Sequence, residues 1–322
     1  MAIVVTGGFG HIGSWVCRQL AEARRRVLIL DRAPRLVSYL AGLEDFIAFE
    51  KVDITDFDNV GEILDRYKRG IEGIIHVAGL MGGPQFATDP RANIRLNTLG
   101  TVNMLEAARA LDIGKFVYIS SGAVYGQRDD IPRESDPMAP SDLYGAAKAS
   151  AEFFGLQYAN EFGLDFRAVR VYFAYGPGRR PSELYPLYQA VFGSLEGKTS
   201  VDMPKGADQE IDFTYLSDIA RAILLVHDAD KTKHRQYNAV SGSWHRLPEL
   251  IEKVAEIAGV SVSIRLGPGR LMPRGPSLDT TRLREEFGFE PAYDIGKGVA
   301  EYLDWMKAVS YTHLTLPTKR IV

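Results

Sequence analysis

Tyr144 and Lys148 lie four residues apart in the segment SDLYGAAKASAEFF, and their types and spacing suit proton transfer. Residues i and i+4 share one face of a helix, so the lysine ammonium can lie alongside the phenol. A free tyrosine titrates near pH ~10 and is a poor base at neutral pH. A neighbouring ammonium favours the phenolate form. The pair therefore predicts a tyrosine whose pKa is lowered and which acts as both acid and base.

A strand-end serine supplies a second polar group for this chemistry. Ser121 closes the predicted strand KFVYISS, which precedes the helix that carries Tyr144. Ligands of open parallel sheets bind at the carboxyl ends of strands. A hydroxyl there can hold a substrate oxygen while the tyrosine exchanges its proton. A second Tyr-x-x-x-Lys, from Tyr293 to Lys297, has an internal glycine and no upstream strand-end serine, so we interpret it as accidental.

A glycine-rich turn joins the first predicted strand to the first predicted helix. Gly7 suits the tight turn, Gly10 lets the backbone approach a pyrophosphate, and Gly13 allows the helix to pack closely on the strand. The helix begins at His11 and Ile12, where free N–H groups and the positive dipole end attract phosphate. The turn therefore predicts a binding site for a dinucleotide.

Asp31, at the end of the second predicted strand, indicates which dinucleotide is bound. A carboxylate at that place accepts hydrogen bonds from both hydroxyls of an adenosine ribose and repels a 2′-phosphate. This favours NAD over NADP, although the adjacent Arg32 is of a type that attracts phosphate. The cationic nicotinamide ring of NAD would further favour the Tyr144 phenolate.

The elements that must position these residues alternate along the first half of the chain. Apolar strands alternating with helices predict an α/β fold, a Rossmann-like doubly wound parallel sheet with a smaller C-terminal substrate-binding lobe. Predicted strands are 2–6, 27–31, 46–54, 73–79, 115–121, 165–172, 211–216 and 236–240, the last two returning to the sheet. Predicted helices are 11–25, 56–68, 90–111, 142–162, 183–195, 217–229, 247–259 and 296–307.

These elements divide the chain into two predicted domains and a tail. Residues 1–174 and 211–242 form the NAD-binding domain, and residues 175–210 and 243–308 form the substrate-binding lobe. The segment 309–322 follows a well-formed helix and has no amphipathic period. We therefore interpret it as a non-native tail and leave it out of the fold prediction.

Composition excludes several classes of partner. The chain has 322 residues, of which 46% are apolar and 25% charged, as in a globular protein with more than one core. A net charge of −3 gives no electrostatic reason to expect nucleic acid or an anionic membrane. The single cysteine, Cys17, suits a reducing compartment, and we expect a cytoplasmic protein. The six histidines form no metal spacing, so no metal site is predicted.

As a set, the motifs resemble the extended short-chain dehydrogenase/reductase family, the NAD-dependent epimerase/dehydratases, and among them the nucleotide-sugar epimerases. The motifs are TGGFGHIG at 6–13, HVAG at 76–79, NTLGTVNMLEAAR at 97–109, SSGAVYG at 120–126, YGAAK at 144–148, YGPG at 175–178 and DFTYLSDIARA at 212–222. They occur in the family's order over about 1–308.

The resemblance implies roles for residues that the spacing alone does not assign. It implies that Asp53 and Ile54 lie beside the adenine, that Ala78 and Gly79 run along the cofactor, and that Asn97 supports the active site from behind. It assigns the catalytic roles to Tyr144, Lys148 and Ser121, with Lys148 also contacting the cofactor. A homodimer through helices 90–111 and 142–162 is a further expectation from the family.

The sequence departs from the family pattern where substrate is selected. Dehydratases carry an Asp-Glu pair after the catalytic hydroxyl residue, where this chain has Gly122 and Ala123, so dehydration is disfavoured. Epimerases usually have asparagine at the position of Phe173 and arginine at that of Ile211, and both help to hold a nucleotide diphosphate. The candidates to replace them are Arg270, which fits the family's second phosphate arginine, and Arg179, Arg180 and Arg274.

Three functions remain open at this point. The first is an epimerase that oxidises a (nucleotide-)sugar transiently to a ketone, with Tyr144 as the acid and base. The second is a simple NAD-dependent dehydrogenase or reductase of a small sugar, sugar acid or aldehyde. The third is a non-catalytic NAD-binding scaffold, since a fold does not fix a function.

Overall fold

Seven parallel strands form the central sheet in the computed structural model of the chain, which describes residues 1–34, 37–81 and 88–315, with side chains up to residue 309. The strands of the described chain are β1 Ala2–Thr6, β2 Arg26–Asp31, β3 Ile47–Lys51, β4 Ile71–His76, β5 Lys115–Ser121, β6 Asp165–Val171, β7 Phe173–Tyr175, β8 Ser200–Met203, β9 Glu210–Ile211, β10 Phe213–Tyr215, β11 Gln236–Ala239, β12 His245–Arg246 and β13 Ser263–Leu266. The central sheet has the order β3-β2-β1-β4-β5-β6-β11, which reverses direction between β1 and β4. This is the predicted doubly wound sheet, and the reversal opens a crevice at the carboxyl ends of these two strands.

Helices cover both faces of the sheet. They are α1 His11–Glu22, α2 Phe57–Tyr67, α3 Pro90–Ile94, α4 Gly100–Ala110, α5 Leu143–Phe162, α6 Pro186–Phe192, α7 Leu216–Asp228, α8 Leu247–Ala258, α9 Thr281–Phe287 and α10 Ile295–Thr315. Helices α1 and α7 pack together on one face, and α2, α4 and α5 pack on the other. Because both faces are covered, the strands are apolar along their length, as Ile3, Val4 and Val5 in β1 show by their burial.

Two side-chain caps fix the beginnings of helices that matter for the site. Asp56 accepts a hydrogen bond from the Asn59 N–H at 3.2 Å at the start of α2. Asp142 accepts one from the Gly145 N–H at 2.7 Å at the start of α5. Helix α5 ends at Gly163, whose φ of 74° is readily adopted by glycine. These signals set where Tyr144 enters its helix.

The predicted helix 90–111 is not a single α-helix. A π-helical turn, Arg95–Leu99, separates α3 from α4. Asn97 in this turn makes two hydrogen bonds with the backbone of Leu80, and Thr101 donates its hydroxyl to the Asn97 carbonyl at 2.8 Å. Such π-turns are common at functional sites, and here the turn carries a residue that the family resemblance had placed behind the active site.

The prediction that strand 211–216 returns to the central sheet is wrong. Only β11 joins that sheet, where it pairs with β6. Residues 210–215 form the short strands β9 and β10, and β10 pairs instead with β7. The chain resumes an extended conformation at Phe173, directly after β6, and this continuation gives β10 its partner. The domain limits assigned from the sequence stay a prediction.

The smaller lobe is built from short strand pairs and helices. β8 pairs with β13 in parallel, and β9 pairs with β12 in antiparallel fashion. Helix α8 packs against α6 and α10, and its apolar residues belong to the same core cluster as those of α1 and α7. The lobe is therefore continuous with one face of the sheet, so it holds a defined position above the crevice.

The last helix extends beyond its predicted end at residue 307. Its backbone is helical as far as Thr315, so the first part of the segment 309–322 continues α10. Residues 316–322 lie outside the described residues, and the interpretation of the tail as non-native stays a prediction. Across the ranges that the structure describes, no helix combines the length and apolar character needed to span a bilayer.

Close packing of α5 on the sheet gives a test of the fold. A methyl group on Gly155 would overlap the ring of Phe166, which is fully buried, whereas one on Gly61 in α2 would meet nothing within 4 Å. We expect Gly155→Ala to lower the free energy of unfolding by about 1–3 kcal/mol. The control Gly61→Ala should raise it by about 0.4–1 kcal/mol, because alanine restricts the unfolded chain. Urea unfolding measures both, and an unchanged or more stable Gly155→Ala would contradict the packing.

Candidate active site

The glycine turn lies at the carboxyl end of β1, beside the crevice. Gly7 has a φ of 64°, its N–H donates to the Leu30 carbonyl at 2.8 Å, and a Cβ there would lie 2.9 Å from the Cα of Ala78. The Gly10 N–H donates to the Gly7 carbonyl at 2.8 Å. A Cβ on Gly13 would overlap that same carbonyl oxygen. A side chain at any of these three positions would clash with the protein's own backbone and open the turn. The turn therefore requires glycine even without a bound ligand.

The first turn of α1 presents unsatisfied backbone donors to this crevice. The N–H groups of His11, Ile12 and Gly13 have no intrahelical acceptor. No side chain caps the helix at Gly10, and its first turn contains no acidic residue. The His11 ring contacts the Gly176 carbonyl at 3.2 Å, and burial lowers the pKa of His11 to about 4, so the ring is neutral at pH 7. This helix end suits an anionic group.

Asp31 lies between the glycine turn and the end of β2. One carboxylate oxygen accepts from the Phe9 N–H at 3.2 Å, and the other accepts from the Arg32 N–H at 2.8 Å. A carboxylate has about four acceptor sites, so lone pairs remain for two ribose hydroxyls. Asp53 is exposed and accepts from the Thr55 N–H at 2.9 Å, while the neighbouring Ile54 is buried.

Thr6, the last residue of β1, ties the glycine turn to the strand end of β4. Its hydroxyl accepts from the N–H groups of Val77 and Ala78, both at 3.1 Å, and lies 2.7 Å from His76 Nδ1. The other ring nitrogen of His76 lies 3.1 Å from the Thr101 hydroxyl. Two threonine hydroxyls therefore satisfy both ring nitrogens of His76. Burial lowers the pKa of His76 to about 3, so it carries no charge in the site at neutral pH.

Asn97 holds the segment after β4 next to Lys148. Its amide accepts from the Leu80 N–H at 3.0 Å and donates to the Leu80 carbonyl at 3.1 Å. A Cβ on Gly79 would lie 2.6 Å from the Asn97 oxygen and 3.4 Å from the Lys148 amine. Asn97, Gly79 and Lys148 thus form one packed layer, in keeping with the supporting role that the resemblance implies.

Ser121 and Tyr144 lie near each other, and the Ser121 hydroxyl lowers the pKa of Tyr144. Ser121 ends β5, and its hydroxyl also accepts from the Ala123 N–H at 3.2 Å, which fixes its direction. Tyr144 is the second residue of α5 and is half-buried. The strand end and the helix start therefore bring together the two hydroxyls that the sequence singled out.

Lys148 lies one turn further along α5 and is only 5% exposed. Its amine donates to the Ile119 carbonyl at 2.9 Å and lies 4.9 Å from the centre of the Tyr118 ring. Burial lowers the pKa of Lys148 to about 8, against the opposing effect of the Glu152 charge. The amine is therefore close to its titration range at the pH of a cell.

The prediction that the Lys148 ammonium lowers the pKa of Tyr144 is wrong for the protein without a cofactor. Burial raises the pKa of Tyr144 above its ordinary value, and this outweighs the lowering by the Ser121 hydrogen bond and the Arg274 charge. The amine of Lys148 is directed to the Ile119 carbonyl. Residues i and i+4 do share a face, but desolvation of the phenol itself is the largest effect on its pKa.

The residues predicted to select substrate occupy different surroundings. Phe173 packs its ring 4.4 Å from that of Tyr172, within an aromatic cluster that also contains Tyr188 and Phe213. Arg270 forms an ion pair with Asp129. Arg179 accepts a hydrogen bond from Tyr302 through its carbonyl at 2.5 Å, and its charge acts on His11 and Tyr185.

Arg274 is the arginine whose charge reaches Tyr144. It forms an ion pair with Asp142, the cap of α5, and it lowers the pKa of Tyr144 against the effect of burial. The sequence named Arg274 only as one of several alternatives. Nothing in the sequence indicated that Arg274 pairs with Asp142, because these two residues lie far apart in the chain.

A different cluster has the composition of a cation site. Glu72, His227 and Asp228 bring ligand-type atoms within 4.8 Å of one another, away from the crevice. The Arg25 guanidinium already lies between the two carboxylates, at 2.8 Å from each. Arginine satisfies the charge that a metal would otherwise neutralise, so this cluster is explained as an ion-pair network.

The residues around the crevice fit a dinucleotide. The unsatisfied N–H groups of α1 suit the pyrophosphate, the Asp31 carboxylate suits the adenosine ribose, and Gly79 and Lys148 line the path toward Ser121 and Tyr144. They lie at or beside the carboxyl ends of β1, β2, β4 and β5, on both sides of the point where the strand order reverses.

Asp31 provides a test of cofactor choice. We expect Asp31→Ala to narrow the preference for NAD over NADP by about tenfold or more, because the charge that repels a 2′-phosphate is lost. Asp31→Asn is the matched variant, since its amide oxygen can still accept from the Phe9 N–H while the charge is gone. Titration with NADH and NADPH, followed by their fluorescence, measures the preference. Unchanged preference in both variants would show that Asp31 does not face the ribose.

Comparison with known proteins is consistent with this geometry. A UDP-glucose 4-epimerase of Mycolicibacterium smegmatis is 30% identical over 95% of this chain and 99% of its own length. A dTDP-glucose 4,6-dehydratase of Streptomyces niveus is 30% identical over 95% of this chain and 93% of its own length. The crystal structure of a UDP-glucose 4-epimerase from Thermotoga maritima with UDP-glucose superposes with a TM-score of 0.85 at 25% identity, covering 96% of this chain and all of that one.

A sequence model of the NAD dependent epimerase/dehydratase family matches residues 3–239, which contain the glycine turn, Ser121, Tyr144 and Lys148. The chain therefore belongs to the NAD dependent epimerase/dehydratase family, and is an enzyme of the extended short-chain dehydrogenase/reductase type with NAD as its cofactor.

Proposed function

We propose that the enzyme interconverts epimers of a nucleotide-activated sugar through a transient ketone, with Tyr144 as acid and base. The observation that carries this proposal is the meeting of Ser121, at the end of β5, with Tyr144, at the start of α5, one helical turn from the buried Lys148. The similarity to the epimerases of Mycolicibacterium smegmatis and Thermotoga maritima supports the substrate class.

The chain's own residues supply the proton transfer. Ser121, oriented by the Ala123 N–H, holds the sugar oxygen, and Tyr144 as phenolate removes the hydroxyl proton. NAD, held at the first turn of α1 and by Asp31, would supply the acceptor and donor of hydride and a positive charge in the cleft. Because burial favours the neutral phenol, Tyr144 needs that charge together with the Lys148 ammonium to ionise. Tyr144 then returns the proton to the sugar oxygen as the alcohol forms again.

The turn after Ser121 argues against dehydration. A dehydratase needs an acid and a base there, and this chain has Gly122 and Ala123. A Cβ on Gly122 would lie 2.7 Å from the Tyr172 ring and 3.2 Å from Leu278, so the site has no room for a carboxylate. The similarity to a dTDP-glucose 4,6-dehydratase therefore supports the fold and the cofactor more than it supports that reaction.

A simple dehydrogenase of an unphosphorylated sugar is the second candidate. Phe173 lies in an aromatic cluster and Ile211 is buried, so neither position offers a polar contact to a diphosphate. Binding of a diphosphate would therefore depend on arginines of the lobe. Among these, the charge of Arg274 lowers the pKa of Tyr144, and the charge of Arg179 acts on Tyr185. Net formation of NADH with a free sugar or sugar acid would favour this candidate.

Tyr144→Phe tests the proposed function. We expect turnover of UDP-, dTDP- or GDP-sugars without net NADH formation, and a loss of about 100- to 10,000-fold in kcat for the variant, as general acid–base catalysis typically contributes. NADH binding should change little, since the phenol does not hold the dinucleotide. Product formation is measured by chromatography of the sugar nucleotides.

Tyr293→Phe is the matched control, because Tyr293 belongs to the second Tyr-x-x-x-Lys and its ring stacks on Tyr215, away from Ser121. The Tyr293→Phe variant should keep its activity within about twofold of wild type, because Tyr293 contacts neither the Ser121 hydroxyl nor the Tyr144 hydroxyl. If Tyr144→Phe retained full activity on a confirmed substrate, Tyr144 would not be the acid and base. Failure of the protein to bind or convert any sugar tested would favour a scaffold.

We also propose that the enzyme pairs with a second copy of itself through α3–α5. Large apolar side chains are exposed along these helices, namely Ile94 44%, Leu99 48%, Leu143 47%, Phe153 52%, Phe154 46% and Phe162 53%. Several large exposed apolar side chains on neighbouring elements are typical of a protein interface. Two copies related by a two-fold axis would bury this apolar face against itself.

A double variant tests this assembly. Phe153→Glu with Phe154→Glu should convert a dimer to a monomer in light scattering after size-exclusion chromatography, because it places charges in the centre of the apolar face. Phe57→Glu is the control, since Phe57 is 42% exposed but begins α2, outside this face. A wild-type protein that remains monomeric at micromolar concentration would contradict the proposal.

A further inference from the structure

A buried ion pair lies directly behind the catalytic lysine. Glu152 is on α5, one helical turn after Lys148, and is 0% exposed, while Arg170 on β6 is 1% exposed. The guanidinium contacts both carboxylate oxygens, Nη2 at 2.5 Å from Oε1, and Nε at 3.1 Å from Oε1 and 3.2 Å from Oε2. This pair takes no part in the chemistry assigned above, although its acidic member shares a helix with Tyr144 and Lys148.

Further hydrogen bonds satisfy the remaining donors of Arg170. Its Nη1 donates to the Tyr125 hydroxyl at 2.7 Å, and Tyr125 donates to Asn238 Oδ1 at 2.8 Å. Asn238 in turn donates its N–H to Glu134 at 2.9 Å. Because each group has a partner, the guanidinium is held in place against the buried Glu152 carboxylate.

Charge around Lys148 is unevenly distributed. On β5, it faces the Ile119 carbonyl and the neutral phenol of Tyr118, whose pKa burial raises well above its ordinary value. From β4 it faces His76, which is neutral at pH 7. From the π-turn it faces the uncharged amide of Asn97.

On its own helix, Lys148 has Tyr144 before it and Glu152 after it. Tyr144 is protonated at neutral pH in the absence of cofactor, because burial raises its pKa. Glu152 is therefore the anion, among the described side chains, whose charge opposes the loss of the Lys148 proton. Beyond Glu152 lies the cation Arg170, so the carboxylate separates two buried positive charges.

We propose that Glu152, clamped by Arg170, is a positioning residue that keeps the Lys148 side chain charged, and so able to act on Tyr144 and the cofactor, at the pH of the cell. This inference rests on the proposed role of Lys148. Removing the carboxylate leaves Lys148 and Arg170 as two buried cations without an anion between them. Arginine cannot give up its proton in a protein, so the lysine must.

Glu152→Gln keeps the shape of the side chain and removes its charge. We expect the midpoint of Lys148 titration to fall by about one pH unit or more, because a buried ammonium loses its opposite charge. NMR of the labelled lysine side chains follows this titration, with Lys148→Met to assign the signal. The alkaline limit of NADH binding should move to lower pH by the same amount, whether or not a substrate is known.

Asp165→Asn is the matched control. Arg167 on β6 is also fully buried and pairs with Asp165 at 2.5 Å, but this pair lies at the opposite end of the strand from Lys148. The control removes the anionic partner of a buried arginine and should leave the Lys148 titration unchanged. A shift of equal size in the control would show a general effect of destabilisation and overturn the proposal.

A double variant, Glu152→Gln with Arg170→Met, covers the case in which the single variant does not fold. It removes the repelling cation together with the anion. The titration midpoint of Lys148 in the double variant should therefore lie between the wild-type midpoint and that of Glu152→Gln. If Glu152→Gln does not fold, the midpoint in the double variant should still lie below the wild-type midpoint. An unchanged wild-type midpoint in either variant would overturn the inference. If Lys148 shifts as expected but no sugar is epimerised by the wild type, the proposed function fails while this assignment stands.

Discussion

The site depends on a positive charge held out of water. Lys148 is almost fully buried, and desolvation of an ammonium costs several kcal/mol even after relaxation. Three groups offset this cost, namely the Ile119 carbonyl, the face of the Tyr118 ring and the Glu152 carboxylate. Two of them belong to β5 and the third to α5 itself. The same contacts that stabilise the charge therefore fix α5 on the sheet, and with it the position of Tyr144.

Topology brings the cofactor site and the proton-transfer site to one edge. The strand order reverses between β1 and β4, so the turn after β1 and the segment after β4 diverge and leave a crevice. Thr6 joins its two sides by binding the backbone of Ala78, and Asn97 holds the β4 side in place by binding the backbone of Leu80. Small shifts of either side would change the distance between a dinucleotide and Tyr144, which explains why buried polar groups hold this region.

Much of the site follows from local sequence signals. The glycine turn, Asp31, Ser121 and the Tyr144–Lys148 spacing each lie beside a strand or helix boundary, and parallel sheets place such boundaries on one edge. Their presence at this edge was predictable for that reason. Their function as ligands of NAD stays a prediction for each residue, although the family and its cofactor are established.

Other features could not be read from the sequence because they depend on burial or on distant partners. The raised pKa of Tyr144 reflects desolvation, which residue types at i and i+4 do not reveal. The π-turn at Arg95–Leu99 and the pairing of β10 with β7 depend on the hydrogen bonds of Asn97 and on the path of the chain after β6. Propensity and periodicity carry no information on either.

The lobe contributes charge to the surroundings of Tyr144. Arg274 reaches α5 from the lobe and pairs with Asp142, which also caps the helix at Gly145. The two groups act on Tyr144 in opposite directions, since Arg274 lowers its pKa and Asp142 raises it. An anion that drew Arg274 away from Asp142 would leave the negative charge of Asp142 less neutralised. The pKa of Tyr144 would then rise, and the phenol would be harder to ionise. The Arg274–Asp142 ion pair therefore couples the charge at the start of α5 to the ionisation of Tyr144.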